Sequence, residues 1–367
     1  MRIAVLELYE HWELIGYLRE ALAWADCDYY LSEVVAARPE AAGLRSVRVV
    51  GTRQRREAVA EAVSPSRGAD IVLVCTRNVE QAPWYALAQV TAPVVLVLHD
   101  ARFSFSRAPI LAPGLLNRLR RVRWRLAGDW SARTLNPGHP FVAFVTSAPG
   151  GQAYLRSEGV TEDVLAVPFA YWPTPTTPAA DHDLRSVVVP GSIDPEHRDY
   201  EAVATLCREY YGPALSLKLP GRPRSSSAVR TLEWLRRIAA DNPHVDLRTA
   251  GDAPDAYAET LRRAWVLLIP AHTYAFYATQ REEVGRTKGL GAFDDQVRYG
   301  KCAIVPAGIP TWRALAHATV TYSTHAGLLT ALGQAIEAPT PRPPETLTLS
   351  AVRAKWRAFL TEVAARR

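Results

Sequence analysis

The sequence predicts two doubly wound α/β domains, each a parallel sheet with helices on both faces. Three observations carry that expectation. Short, continuous apolar runs recur along the chain as strands. Helical periods separate them, the alternation that builds parallel sheets. The rhythm breaks once, at the proline-rich stretch WPTPTTPAADHD (Trp172–Asp183), and then restarts. A length of 367 residues accommodates two such units.

Taken in order, RIAVLEL (Arg2–Leu8) opens as a strand. His11–Ala25 follows with Trp12, Ile15, Leu18 and Leu22 on one helical stripe. Further strands are expected at Val47–Gly51, Ile71–Cys75, Val94–Leu98, Phe141–Thr146 and Val164–Val167. Helices are expected around Arg53–Val63 and Ala82–Val90. Beyond the proline-rich stretch, strands fall at Ser186–Val189, Leu215–Leu219, Val245–Arg248, Val266–Ile269 and Ala303–Val305. Helices include Ser227–Ala240 and Pro254–Ala264, and an amphipathic helix, Ser350–Arg367, ends the chain. The expected boundaries are 1–171, a linker at 172–183, 184–340, and a terminal segment at 341–367.

Composition removes several classes. Apolar residues at 48% and charged residues at 22% are those of a folded chain rather than a disordered one. No apolar run reaches the roughly 20 residues of a membrane span, and the acidic N-terminal region does not read as a secretory signal. Cys27, Cys75, Cys207 and Cys302 lie far apart without a C-x-x-C pair, so neither a disulfide framework nor a zinc ribbon is expected. A reduced, cytoplasmic setting follows. The net charge of +6 rests on arginine, with four lysines in the whole chain. No aromatic-basic interleaving accompanies it, so no nucleic-acid partner is expected. One basic helix stands out: Leu115–Leu126 places Leu115, Leu119, Val122 and Leu126 on one face among five arginines, a pattern suited either to anionic lipid or to packing on its own domain.

Ligands of open parallel sheets gather at the carboxyl ends of the strands. After the first strand come Glu10, His11 and Glu13, and after VVLVL come His99 and Asp100. These five are the candidates for a general base. After SVVV comes Gly191-Ser192 with Arg198 further along, and after VLLIP come His272 and Tyr274. Arg286, Thr287, Lys288, Gly289 and Gly291 precede a helix. Glycines there permit close backbone approach, and the positive charge and helix start suit a phosphate group. Asp295, one to two turns on, suits a ribose diol. Asp294-Asp295 is not a spaced D-x-D, and no metal is expected.

The stretch TKGLGAFDDQVRYGKCAIVP (Thr287–Pro306) resembles the donor-binding segment of GT-B-fold glycosyltransferases of the group 1, family 4-like kind. Their glycine-rich helix start is followed by an acidic residue five positions before a glycine turn and strand; here these are Asp295 and Gly300. GSIDPEHRDY (Gly191–Tyr200), Asn242–Ala271 and VVLVLHD (Val94–Asp100) are similar to further pieces of that family. Where its retaining members carry two glutamates, this chain has Thr287 and Asp295. The resemblance implies an N-terminal acceptor domain, a C-terminal nucleotide-sugar domain and a last helix crossing back to the first. It implies metal-independent sugar transfer from a nucleotide-diphosphate sugar to a hydroxyl acceptor, lipid-linked or glycan, with Arg198, Lys288 and Arg286 near the diphosphate. A non-hydrolysing sugar-nucleotide epimerase of the same fold and a non-catalytic nucleic-acid-binding protein are the alternatives. Retention or inversion stays open.

Overall fold

The computed structural model describes residues 1–9, 11–51, 54–64, 68–76, 91–102, 141–173, 185–249, 254–277, 280–338 and 340–365. The first sheet has seven parallel strands: β1 (Arg2–Glu7), β2 (Asp26–Ser32), β3 (Val47–Val50), β4 (Ile71–Val74), β5 (Val94–Leu98), β6 (Phe141–Thr146) and β7 (Asp163–Ala166). They run in the order β3-β2-β1-β4-β5-β6-β7. The second has six: β8 (Ser186–Val188), β9 (Leu215–Leu219), β10 (Val245–Thr249), β11 (Val266–Leu268), β14 (Cys302–Pro306) and β15 (Thr319–Tyr322), ordered β10-β9-β8-β11-β14-β15. An antiparallel hairpin, β12 (Tyr274–Tyr277) with β13 (Gln280–Glu283), projects from the second unit. Each sheet reverses its winding once, between β1 and β4 and between β8 and β11. Those are the points where a crevice opens at the strand ends.

Both sheets carry apolar residues on both faces, which explains their uninterrupted runs. In the first, Ile3, Val5, Ile71 and Leu73 pack to one side and Ala4, Leu6, Val72 and Val74 to the other. In the second, Val187, Leu217 and Ile304 face away from Val188, Leu267 and Val305. The first helix, Trp12–Ala21, buries Ile15 and Leu18 of the expected stripe together with Leu14 and Tyr17; Leu22, just past its end, is buried too, and Trp12 is half-buried. Side-chain caps at Asp199, Ser225, Thr324 and Thr348 fix where four later helices begin.

The terminal helix, Leu349–Ala364, crosses back onto the first sheet's core. Trp356 is fully buried there, and its indole N–H donates to Tyr17 Oη at 2.7 Å. The strand β2 escapes the periodicity reading because DCDYYLS opens on acids. Asp28 nevertheless pairs with Arg2 of the neighbouring strand at 2.9 Å. The expected helix Ala82–Val90, the basic segment Leu115–Leu126 and most of the proline-rich linker lie outside the described residues.

Candidate active site

At the first sheet's reversal point, three side chains form one hydrogen-bonded line. Glu7 ends β1 fully buried. Its carboxylate accepts from the Thr76 hydroxyl at 2.5 Å and from the Tyr9 backbone N–H at 2.9 Å. Thr76, just past β4, lies 2.8 Å from His11 Nδ1. The ring of His11 stacks on that of His99, centroids 4.1 Å apart and planes 14° from parallel. His99 reaches this place because β5 neighbours β4, and its Nε2 donates to the Cys75 carbonyl at 3.0 Å. Burial first, then the His11 ring, hold His99 well below the usual imidazole range. Glu13, on the first helix, stands exposed toward Asp295 and Arg298, with its carboxyl raised chiefly by the protein crowding it. Glu10 lies outside the described residues.

At the second reversal point the loop after β8 folds tightly against the loop after β9. Gly191 adopts a left-handed backbone, φ 82°, and a Cβ there would come 2.2 Å from Arg198 Nη2. Arg198 folds over this loop and donates to the Ser192 carbonyl. The Gly191 N–H donates to Tyr257 Oη at 2.7 Å, and the Tyr257 hydroxyl donates to Asp295 Oδ2 at 2.9 Å. Asp295 is buried, which raises its carboxyl, while Arg298 at 3.8 Å works in the opposite sense. Its neighbour Asp294 points elsewhere, accepting from the Phe169 N–H of the first unit at 2.8 Å. His272 backs the same loop, its N–H donating to the His197 carbonyl at 3.1 Å. Tyr274 sits apart, exposed on the hairpin under the Arg281 guanidinium.

The segment between β13 and the helix Gly291–Tyr299 is tied both to itself and to the first unit. The N–H groups of Arg286, Thr287 and Lys288 all converge on the Glu283 carbonyl, at 3.1, 2.8 and 3.1 Å. Thr287 is buried and accepts from the Glu283 N–H at 2.7 Å. Arg286 pairs with Glu283, which also holds Arg102 of the first unit. Lys288 Nζ meets Asp100 Oδ1 at 2.5 Å across the cleft. Gly289 lies so close to the first unit that a Cβ would fall 2.0 Å from Ser147 Oγ. Gly291 opens the helix with clear space around it, and no side chain caps that helix start. The structure thus gathers His11, His99 and Asp100 on one wall and Gly191, Ser192, Arg198 and Asp295 on the other. The 286–289 turn joins the two walls.

Two parallel sheets with matching strand order, a cleft at both reversal points and a returning last helix decide the architecture. The fold is GT-B. GtfA, a pneumococcal O-GlcNAc transferase solved with UDP and GlcNAc, superposes with a TM-score of 0.61 at 10% identity, covering 99% of both chains. HepE from Anabaena, solved with UDP, gives 0.57 at 12% identity over 100% of this chain and 98% of the other. A protein described as a UDP-N-acetylglucosamine 2-epimerase from Listeria monocytogenes gives 0.53 at 14% identity over 98% and 97%. At such identities the likeness establishes the fold alone. No protein-family model matches the chain, and no curated protein matches it by sequence.

Glu7, Thr76 and Tyr257 were not among the sequence candidates. A glutamate next to last in RIAVLEL breaks an apolar run where a buried charge needs a partner, and that was the available signal for Glu7. Nothing local marks Thr76 or Tyr257. Among the described residues, no helix of this GT-B chain is long and apolar enough to cross a membrane.

Proposed function

We propose that this protein moves a sugar from a nucleotide-diphosphate sugar to a hydroxyl acceptor, without a metal. The observation that carries this reading is the line Gly191 N–H, Tyr257 hydroxyl, Asp295 carboxylate at the second sheet's reversal point. It joins a glycine loop that admits close backbone approach, with Arg198 folded over it, to a buried carboxylate able to accept from a ribose diol. Charge develops on the diphosphate as it leaves, and fixed positive groups facing it lower the barrier. In this reading Arg198 and the uncapped start of the helix at Gly291 supply that charge. Lys288 and Arg286 join them on parting from Asp100 and Glu283. The acceptor lies against the first sheet, beside His11 and His99. HepE and GtfA, which share the fold, are solved in complex with UDP, and this supports a nucleotide ligand.

A thermal-shift panel of nucleoside diphosphates and their sugars, run in chelator and then in magnesium, tests the proposal. One base should raise the melting temperature in chelator, because a ligand of the folded state alone stabilises it by mass action. Tyr257→Phe should weaken that ligand about tenfold, equivalent to one lost hydrogen bond of about 1.4 kcal/mol. No shift with any nucleotide would overturn the reading. The epimerase alternative, for which the Listeria protein is the structural parallel, predicts turnover of a nucleotide sugar alone with its diphosphate linkage intact.

A further inference from the structure

The hairpin β12–β13 presents one open face beside the cleft. Antiparallel pairing sets Tyr274 opposite Glu283 and Phe276 opposite Arg281, and strand alternation puts all four side chains on that face. Ala275 and Glu282 point the other way and are buried, Ala275 among Val284 and Ile309 of the second unit's core. Tyr274 is 43% exposed and Phe276 58%. Apolar residues scattered singly over a surface are ordinary. Two aromatic rings in register, about 7 Å apart along one strand, make a surface on the scale of a sugar ring. The Arg281 guanidinium lies 3.8 Å from the Tyr274 ring centroid and holds that ring in place. The face also leads into the cleft. At its base Glu283 pairs with Arg102 of the first unit and with Arg286. The outer edge of β13 adds a bond from the Arg102 guanidinium to the Arg281 carbonyl at 3.2 Å.

From this arrangement we infer that the face formed by Phe276, Tyr274, Arg281 and Glu283 binds a saccharide chain, the acceptor whose end receives the transferred sugar. The inference rests on the proposed transferase reading and names its acceptor class. A pyranose ring has a C–H face that packs on an aromatic ring and a rim of hydroxyls that both donate and accept. The hairpin offers a partner for each. Phe276 and Tyr274 supply apolar rings, Arg281 supplies N–H donors, and the Glu283 carboxylate has acceptor sites beyond those its two arginines use. A chain lying from Phe276 to Tyr274 and on to Glu283 runs down the hairpin to its base, where the two units meet. Its terminal hydroxyl is then delivered between the walls of the cleft. Anionic lipid matches the face less well. The face carries one cation and one anion, where such a surface favours an excess of cations. Its aromatic pair also begins at the hairpin's base rather than at its tip.

A printed array of neutral and acidic oligosaccharides, followed by calorimetric titration of the strongest ligand, tests the inference without turnover. Wild type should bind at least one oligosaccharide. Phe276→Ala and Tyr274→Ala should each weaken it about tenfold, and Phe276→Trp, which keeps a ring there, should stay within about threefold of wild type. Both positions are exposed, so the variants should keep the wild-type melting temperature. Phe276→Ala should also keep the melting shift that the nucleotide panel gives, since the ring stands apart from the Gly191–Tyr257–Asp295 line. Failure of wild type to bind any oligosaccharide overturns the inference, as does binding that neither alanine variant weakens. Co-sedimentation with phosphatidylglycerol vesicles that Phe276→Ala abolishes would assign the face to lipid and overturn it equally. A nucleotide shift without oligosaccharide binding removes this inference alone. Ring-dependent oligosaccharide binding without any nucleotide shift removes the transferase reading and leaves the hairpin as a carbohydrate-binding face.

Discussion

Lys288 of the second unit and Asp100 of the first form an ion pair at 2.5 Å, with side chains only 23% and 11% exposed. Around it, the Ala101 N–H donates to the Thr287 carbonyl, the Gly150 N–H to the Gly285 carbonyl, and Arg102 reaches Glu283. The two walls of the cleft are therefore joined by charge and backbone bonds in one short turn. Removing one partner leaves the other poorly solvated, so Lys288→Met or Asp100→Asn should each cost roughly 1–3 kcal/mol. The double variant should cost clearly less than their sum, which urea denaturation of all four proteins measures. Additive losses would mean that the pair is not coupled.

Glycine is required at one end of the donor wall and not at the other. Gly191→Ala meets both a left-handed backbone and Arg198. It should cost about 1–2 kcal/mol and displace the guanidinium. Gly291→Ala faces open space at the first helical position, and should be neutral or stabilising by up to about 1 kcal/mol. Calorimetric titration with the nucleoside diphosphate that shifts the melting temperature should show weakened binding for the first variant only.

Asp294 sets part of the pH dependence of stability. Burial lifts its carboxyl from 3.8 to about 7, against the pull of Arg298 and the Phe169 N–H. The folded state therefore holds a proton that the unfolded state has released between those values. Stability from this group is complete below 3.8 and lost as pH rises through about 7. Asp295 and Glu13, also raised, act in the same sense. His99, depressed, acts in the opposite sense. Asp294→Asn keeps an oxygen for Phe169 and isolates the one contribution. Relative to wild type, its urea midpoint should improve steadily from pH 4 to pH 8; an unchanged difference would refute the assignment.

Trp356 ties the last helix to the first sheet. Trp356→Ala should cost about 3–5 kcal/mol through lost packing. Trp356→Phe should cost less, because most of the apolar contact remains and only the bond to Tyr17 is lost. Hydrogen exchange should place the loss in the helix Trp12–Ala21, which carries Tyr17. Protection lost first in the second sheet would contradict that contact.

Most of the fold was legible in the chain because buried parallel strands must be written as apolar runs. Val94–Leu98, Phe141–Thr146 and Leu215–Leu219 coincide with β5, β6 and β9 to the residue. β2 and β15 were not, since DCDYYLS and TVTY mix polar and apolar positions and gain their place from neighbours already paired. The hairpin β12–β13 was missed for a different reason: its strands pair with each other outside both large sheets, so no buried face imposes a pattern on them.

The candidate site divides in the same way. By itself the sequence determined that chemistry-bearing residues follow strand ends, because a strand's length and polarity are local properties. It thereby named His11, His99, Asp100, Gly191 and Arg198, while the glycine-rich start of the following helix named Asp295. Only the tertiary structure decided which of them meet. The winding reversal places Thr76 between Glu7 and His11, residues separated by more than 60 positions from it. The same reversal in the second sheet threads Tyr257 between Gly191 and Asp295. The docking of the two units turns Lys288 toward Asp100. A hydrogen bond requires two atoms within about 3 Å, and that proximity is a property of strand order and domain contact, which no local pattern encodes.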